Sequence, residues 1–238
     1  LGAAGDYNNS CYPSVPYNAG GFQYPRTGNA YVRTTEYCNG CPPNNRGYIK
    51  NRLLTSLTNG KTYCVKIFVN LNNVSTFAID KIGIYLSDAT VDTITYCMIP
   101  LTYLTPQIEN PAGNVIGDTL NWIEISGTFT ASGTEKYLVI GNFKSNAATT
   151  ATATGVVGGI AFADYYIDDV SVIDYNLPAY AGPDQYINLG DSAFIGRPPE
   201  IGLECTWTTG TTTIGTGGGI WVKPTSPGTY SYVVTQNI

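Results

Sequence analysis

Histidine is missing from all 238 residues. That excludes a Ser-His-Asp or Cys-His catalytic set, an H-E-x-x-H zinc site and a histidine proton switch. Charge is scarce too: Asp, Glu, Lys and Arg make up 12% of the chain, against ~25% in an average soluble protein. The net charge of −5 argues against a nucleic-acid partner, which needs a basic stripe. Long apolar runs are absent as well. Residues 145–163 carry no charge, but their Thr and Gly content rules out membrane insertion through that stretch. The first residues, Leu1-Gly2-Ala3-Ala4-Gly5-Asp6, lack the basic start and apolar run of a signal peptide. No phosphate loop occurs: Gly215 to Gly219 is rich in glycine but has no following Lys.

What replaces charge is 19 Tyr, 27 Gly and abundant Thr, a mixture that favours strands and turns over helices. Period-two runs dominate. Tyr63, Val65, Ile67, Val69 and Leu71 fall on one face of residues 62–71. Further strands are expected at 29–33, 47–53, 81–86, 121–130, 136–143, 161–167 and 170–175, separated by turns such as Thr58-Asn59-Gly60-Lys61 and Ala131-Ser132-Gly133-Thr134. The fold class is all-β: a jelly-roll β-sandwich over 1–176, then an incomplete immunoglobulin-like sandwich over 179–238. Each is expected to lack one terminal strand, the chain reading as a stretch of a longer secreted protein, so that a neighbour could complete an open edge. Residues 146–159 are low in complexity and are expected to form a mobile loop. Trp207, two residues after Cys205, fits the core tryptophan of the second sandwich.

The six cysteines suggest an oxidising, extracytoplasmic location. Cys38-Asn39-Gly40-Cys41 lacks the second pair of a zinc ribbon and is followed by Pro42-Pro43 rather than a helix. A disulfide across a turn is expected there. Cys64 and Cys97 lie in strand-like runs, and a cross-strand disulfide between them is the second expectation. Cys11 and Cys205 have no evident partner within the sequence.

Three stretches resemble a jelly-roll domain of secreted Bacteroidota surface proteins: Pro25 to Tyr31, Leu57 to Val65 and Tyr166 to Val172. The last also resembles the closing strand of many carbohydrate-binding modules. Ala181-Gly182-Pro183-Asp184 with Leu189-Gly190-Asp191-Ser192 resembles the opening of Ig-like or PKD-like repeats of the same proteins. The resemblance implies export by the type IX secretion system and kinship with gliding-motility-associated proteins. It implies a non-enzymatic, modular adhesin or fibre-building protein at the outer cell surface. Its partners would be other surface proteins, copies of itself, or glycans. The alternative is a carbohydrate-binding module of a larger secreted polysaccharide-degrading protein.

The resemblance also implies a structural Ca²⁺ held by Asp168 or Asp169; the other role for these residues is to cap a loop at a sheet edge. Neighbouring strand residues point to opposite faces, so the pair does not flank a glycosidic bond as a glycosidase pair does. For glycans, Tyr24, Tyr48 and Trp122 are the candidate contacts, with Tyr17, Phe22 and Tyr103 beside them, because flat rings suit the apolar faces of sugars. Core packing is the other role open to each ring. Thr93, Thr119 and Ser192 each follow Asp and precede an apolar residue, the O-glycosylation pattern of Bacteroidota glycoproteins.

Overall fold

The computed structural model describes residues 6–11, 14–41, 44–88, 99–158 and 161–237. The chain divides into two compact units, one ending at Val170 and one beginning at Ser171.

In the first part of the chain the strands are β1 (Asp6–Asn9), β2 (Tyr17–Asn18), β3 (Gly21–Phe22), β4 (Ala30–Asn39), β5 (Tyr48–Arg52), β6 (Thr62–Leu71), β7 (Phe77–Ile79), β8 (Gly83–Ser87), β9 (Ile108–Glu109), β10 (Ile123–Thr130), β11 (Tyr137–Gly141), β12 (Ala151–Ala153) and β13 (Ala161–Asp174). One sheet has the order β1-β4-β13-β6-β10 and the other β5-β11-β8-β9. With β1 set aside, eight strands remain. Ranked along the chain, they run first-eighth-third-sixth in one sheet and second-seventh-fourth-fifth in the other. That interleaving is a jelly roll, and it lies wholly between Ala30 and Asp174. β1 pairs antiparallel with β4 and lengthens its sheet.

The period-two pattern of β6 sets the core. Tyr63, Val65, Ile67, Val69 and Leu71 are all buried, as are Ile84 and Leu86 of β8 and Val139 and Ile140 of β11. Burying each such aliphatic side chain contributes roughly 1.5–3 kcal/mol. Tyr165 of β13 is fully buried. Its hydroxyl accepts from the Ile79 N–H at 2.8 Å and donates to the Ile116 carbonyl at 2.8 Å, so no polar atom of that ring is stranded.

Two expectations change. The strands expected at 161–167 and 170–175 form one strand, β13, with Asp169 in the left-handed region (φ 47°), a conformation that Asp tolerates better than most residues. The expected mobile loop at 146–159 contains a 3-10 turn, Asn146–Ala148, and the strand β12, which pairs with β7. The buried carboxylate of Asp80 accepts from the Thr150 N–H at 2.8 Å, and Thr154 Oγ1 donates to the Ser75 carbonyl at 2.7 Å. These contacts tie down a segment whose composition alone reads as a linker.

The second unit contains β14 (Ala193–Gly196), β15 (Glu204–Thr209), β16 (Thr212–Thr216), β17 (Gly219–Val222) and β18 (Val233–Asn237). β14 pairs with β17, and β15 lies between β16 and β18. Trp207 is fully buried among Ala193, Ile195 and Val222, and its indole N–H donates to the Gly217 carbonyl at 2.9 Å. Ile173 packs with Leu203 and Cys205 in a second cluster. The end of β13 therefore belongs to this unit, which begins before the turn at 176–178.

Candidate functional site

The site grows from a two-residue turn. Asn18-Ala19-Gly20-Gly21 joins β2 to β3, with Tyr17 opposite Phe22 and Asn18 opposite Gly21. Gly20 is tightly enclosed: a Cβ on it would lie 1.9 Å from Asn72 Nδ2 and 2.6 Å from the Tyr166 hydroxyl, so a larger residue forces the turn or these side chains to shift. Asn18 anchors the hairpin from within. Its Oδ1 accepts from the Gly20 N–H at 2.7 Å and the Tyr166 hydroxyl at 2.8 Å, while its Nδ2 donates to the Tyr31 hydroxyl at 2.8 Å. Burial pushes the Tyr31 hydroxyl up to about 12, so it stays protonated.

That anchorage holds a row of rings at the surface. Tyr17 meets Phe22 edge-on at 4.8 Å between centroids, and Phe22 meets Tyr24 edge-on at 5.2 Å. Tyr17 is 70% exposed, Phe22 41% and Tyr24 61%; three adjacent rings left this open form a contiguous apolar patch, a feature that marks binding surfaces. Half-buried Trp122 joins them, its indole N–H donating to the Tyr24 carbonyl at 3.2 Å. Trp122 packs at 6.0 Å from buried Tyr31, which packs at 4.8 Å from buried Tyr166. Trp122 thus ties the backbone beside the exposed rings to two tyrosine rings of the core.

Amides and backbone frame the patch. Gln23 Nε2 donates to the Leu120 carbonyl at 3.4 Å. Asn73 Oδ1 accepts from the Phe22 N–H at 2.7 Å. Asp118 caps the following turn, accepting from the N–H groups of Leu120 and Asn121; these bonds hold its carboxyl below the ordinary carboxylate range. Asn73 and Thr119 also line an open groove of about 450 Å³.

Of the expected sugar contacts, Tyr24 and Trp122 lie in this patch together with Tyr17 and Phe22. Tyr48 does not. It is buried against Val139 and Phe143, and its hydroxyl donates to the Asn142 carbonyl and accepts from the Leu101 N–H, both at 2.8 Å. Its alternation in β5 points it inward, a direction that composition does not carry. Tyr103 is exposed but has no ring partner among the described residues. Asn18, Gln23 and Asn73 are missing from the sequence-based set. The hairpin signal Asn18-Ala19-Gly20-Gly21 between aromatic residues is the trace of Asn18 and Gln23 in the sequence, whereas Asn73 lies 51 positions from Phe22 and leaves none there.

Asp168 and Asp169 hold a loop. Asp169 accepts from the Arg26 guanidinium and from the Thr27 hydroxyl, each at 2.5 Å. Asp168 accepts from the backbone N–H groups of Arg26 and Asp169, each at 2.8 Å. Arg26 also stacks over the Phe68 ring at 3.5 Å. A calcium site needs several converging acceptor oxygens. Here the carboxylates converge on donors, and a guanidinium supplies the positive charge, so these residues do not fit Ca²⁺. No group of three or more acidic or cysteine residues able to hold a metal occurs among the described residues.

Cys38 and Cys41 form a disulfide with Cα atoms 5.7 Å apart. Cys64 is a buried free thiol, and its expected partner Cys97 lies outside the described residues. Cys11 is an exposed free thiol and Cys205 a buried one. Thr119 lines the groove and Ser192 is exposed, while Thr93 lies outside the described residues. Deep in the first unit, Glu36 and Arg46 are both fully buried. Burial outweighs the neighbouring Arg46 charge and raises the Glu36 carboxyl to about 8. Among the described residues no helix is long and apolar enough to cross a membrane.

No protein-family model and no curated protein matches the chain. Solved structures with a similar course include the CBM22-1 xylan-binding domain of Xyn10C from Paenibacillus barcinonensis, 13% identical with a TM-score of 0.33, over 64% of this chain and 77% of that one. Another is the CBM22-1–GH10 portion of endo-1,4-beta-D-xylanase 10B from Clostridium thermocellum, complexed with xylohexaose. It is 15% identical with a TM-score of 0.37, over 77% of this chain and 27% of that one. Superposition at this level is too loose to bear on function, and the jelly roll described here rests on strand order alone.

Proposed function

We propose that the first unit is a non-catalytic glycan-binding module that works outside the cytoplasm. The observation that carries this reading is the exposed row of Tyr17, Phe22 and Tyr24 with Trp122 beside it. Pyranose rings present C–H faces that pack on aromatic rings, and their hydroxyls exchange hydrogen bonds with nearby amides. The hairpin is pinned through Asn18, Gln23 and Asn73, so ligand binding does not have to order it. Preorganisation of this kind lowers the entropic cost of association. The disulfide at Cys38–Cys41 supports an oxidising compartment.

In this reading the module serves a modular secreted protein of the Bacteroidota surface type, whether an adhesin or part of a polysaccharide-degrading assembly. A convergent ring surface favours sugar recognition as its own task over fibre assembly. A glycan array followed by titration tests it. Specific binding that weakens with Tyr24→Ala and Trp122→Ala supports the proposal; an array with no binding overturns it.

A further inference from the structure

We infer that the groove beside the ring patch is a second subsite that takes the continuation of an uncharged polysaccharide chain. This rests on the glycan-binding reading and names the ligand class that reading leaves open. The two features share their supports. Asn73 lines the groove and accepts from the Phe22 N–H. A Cβ on Gly21 would come within 2.3 Å of Asn73 Oδ1, so the hairpin turn sits directly on that side chain. On the other wall, Gly117 and Thr119 line the groove, and the same segment continues to Leu120, which holds Gln23, and to Trp122, which holds Tyr24. The ring patch and the groove are therefore neighbours, joined through Asn73 and through the segment 117–122.

The lining sets the chemistry. The lining mixes the buried side chains of Leu71 and Ala78 with the hydroxyls of Thr119 and Thr152 and with apolar Val115 and Val156. None of the described lining residues is charged. A hexuronate would lose water there without gaining a cation. Neutral sugars, with hydroxyls on a mostly apolar body, match this mixed, uncharged lining. The volume, about 450 Å³, lies in the ordinary range for small-ligand pockets, about 300–1,000 Å³.

The test is calorimetric titration with neutral di- and hexasaccharides of the gluco, xylo and manno series, alongside oligogalacturonates. For the neutral sugar that binds, the hexasaccharide should bind about tenfold more tightly than the disaccharide, roughly one well-packed contact. Thr152→Glu and Thr152→Lys both place a charge on an exposed rim position. Each should reduce hexasaccharide affinity to the disaccharide level and leave the disaccharide unaffected; Val156→Glu, also on the rim, should repeat the result. The inference is overturned if affinity does not rise with length, if these variants keep the gain, or if oligogalacturonates bind as well as neutral chains. Absence of binding to every sugar overturns the ring-patch reading along with it, whereas disaccharide binding without a gain in length overturns the groove alone.

Discussion

The Asn73 side chain accepts a hydrogen bond from the backbone N–H of Phe22 at 2.7 Å, across 51 positions of sequence. One amide thereby fixes a surface ring to a loop of the jelly roll. Asn73→Ala removes that acceptor and should weaken glycan binding several-fold while leaving the thermal midpoint within a few degrees of the wild type. A net hydrogen bond contributes about 1 kcal/mol. Titration with paired melting curves separates the two effects.

The rings of Tyr24 and Tyr48 should respond differently. Tyr24→Ala removes an exposed ring from the patch and should lower affinity about tenfold with little change in stability. Tyr48→Phe keeps the core volume but leaves the Asn142 carbonyl and Leu101 N–H without their partner. It should cost roughly 1–2 kcal/mol of stability and leave affinity unchanged. Denaturant melts and titrations on both variants read this crossover.

Gly20→Ala is the test of the turn. The added methyl meets Asn72 and the hydroxyl of buried Tyr166, which holds the turn through Asn18, so the hairpin or its anchors must shift. Binding should fall as far as in Tyr24→Ala although no ring is lost, and the tyrosine near-ultraviolet signal should change.

Glu36 makes stability depend on pH. Its carboxyl rises from the ordinary 4.5 to about 8 on folding, so the folded state holds a proton that the unfolded state releases. The contribution is fully present below the unfolded value and is lost as pH rises through the folded one, with a slope of about 1.4 kcal/mol per pH unit at most. Half-buried Asp164 is shifted in the same direction by desolvation and adds to the trend. Glu36→Gln should flatten the fall in melting temperature across this window by about one proton; an unchanged slope contradicts the assignment.

With the Asp169 carboxylate held by Arg26 and Thr27, no calcium dependence is expected from the Asp168–Asp169 pair. Added Ca²⁺ or a chelator should leave the melting curve in place. Asp169→Ala should lower stability by about 2 kcal/mol through loss of charged hydrogen bonds to a buried acceptor.

Much of the fold was legible because it rests on local periodicity. The alternation of Tyr63 to Leu71 and the Cys205-Thr206-Trp207 sequence each report which side chains turn inward. The site was half legible. Tyr24 and Trp122, singled out by ring type alone, lie in one surface patch, but their meeting depends on contacts about a hundred residues apart. Tyr48 was misplaced because inward and outward tyrosines look alike until register is known. The Asp168–Asp169 pair suggested a cation because the partner that replaces it, Arg26, lies 143 positions away. The order of residues 146–158 likewise comes from the distant acceptors Asp80 and Ser75.

The most direct measurement is chemical-shift mapping of the labelled protein during titration with the best-bound neutral oligosaccharide. Shifts concentrated at the side chains of Tyr17, Phe22, Tyr24 and the Trp122 indole N–H are the predicted result. A saturable ligand whose shifts fall on other surfaces, with these four unmoved, contradicts the account.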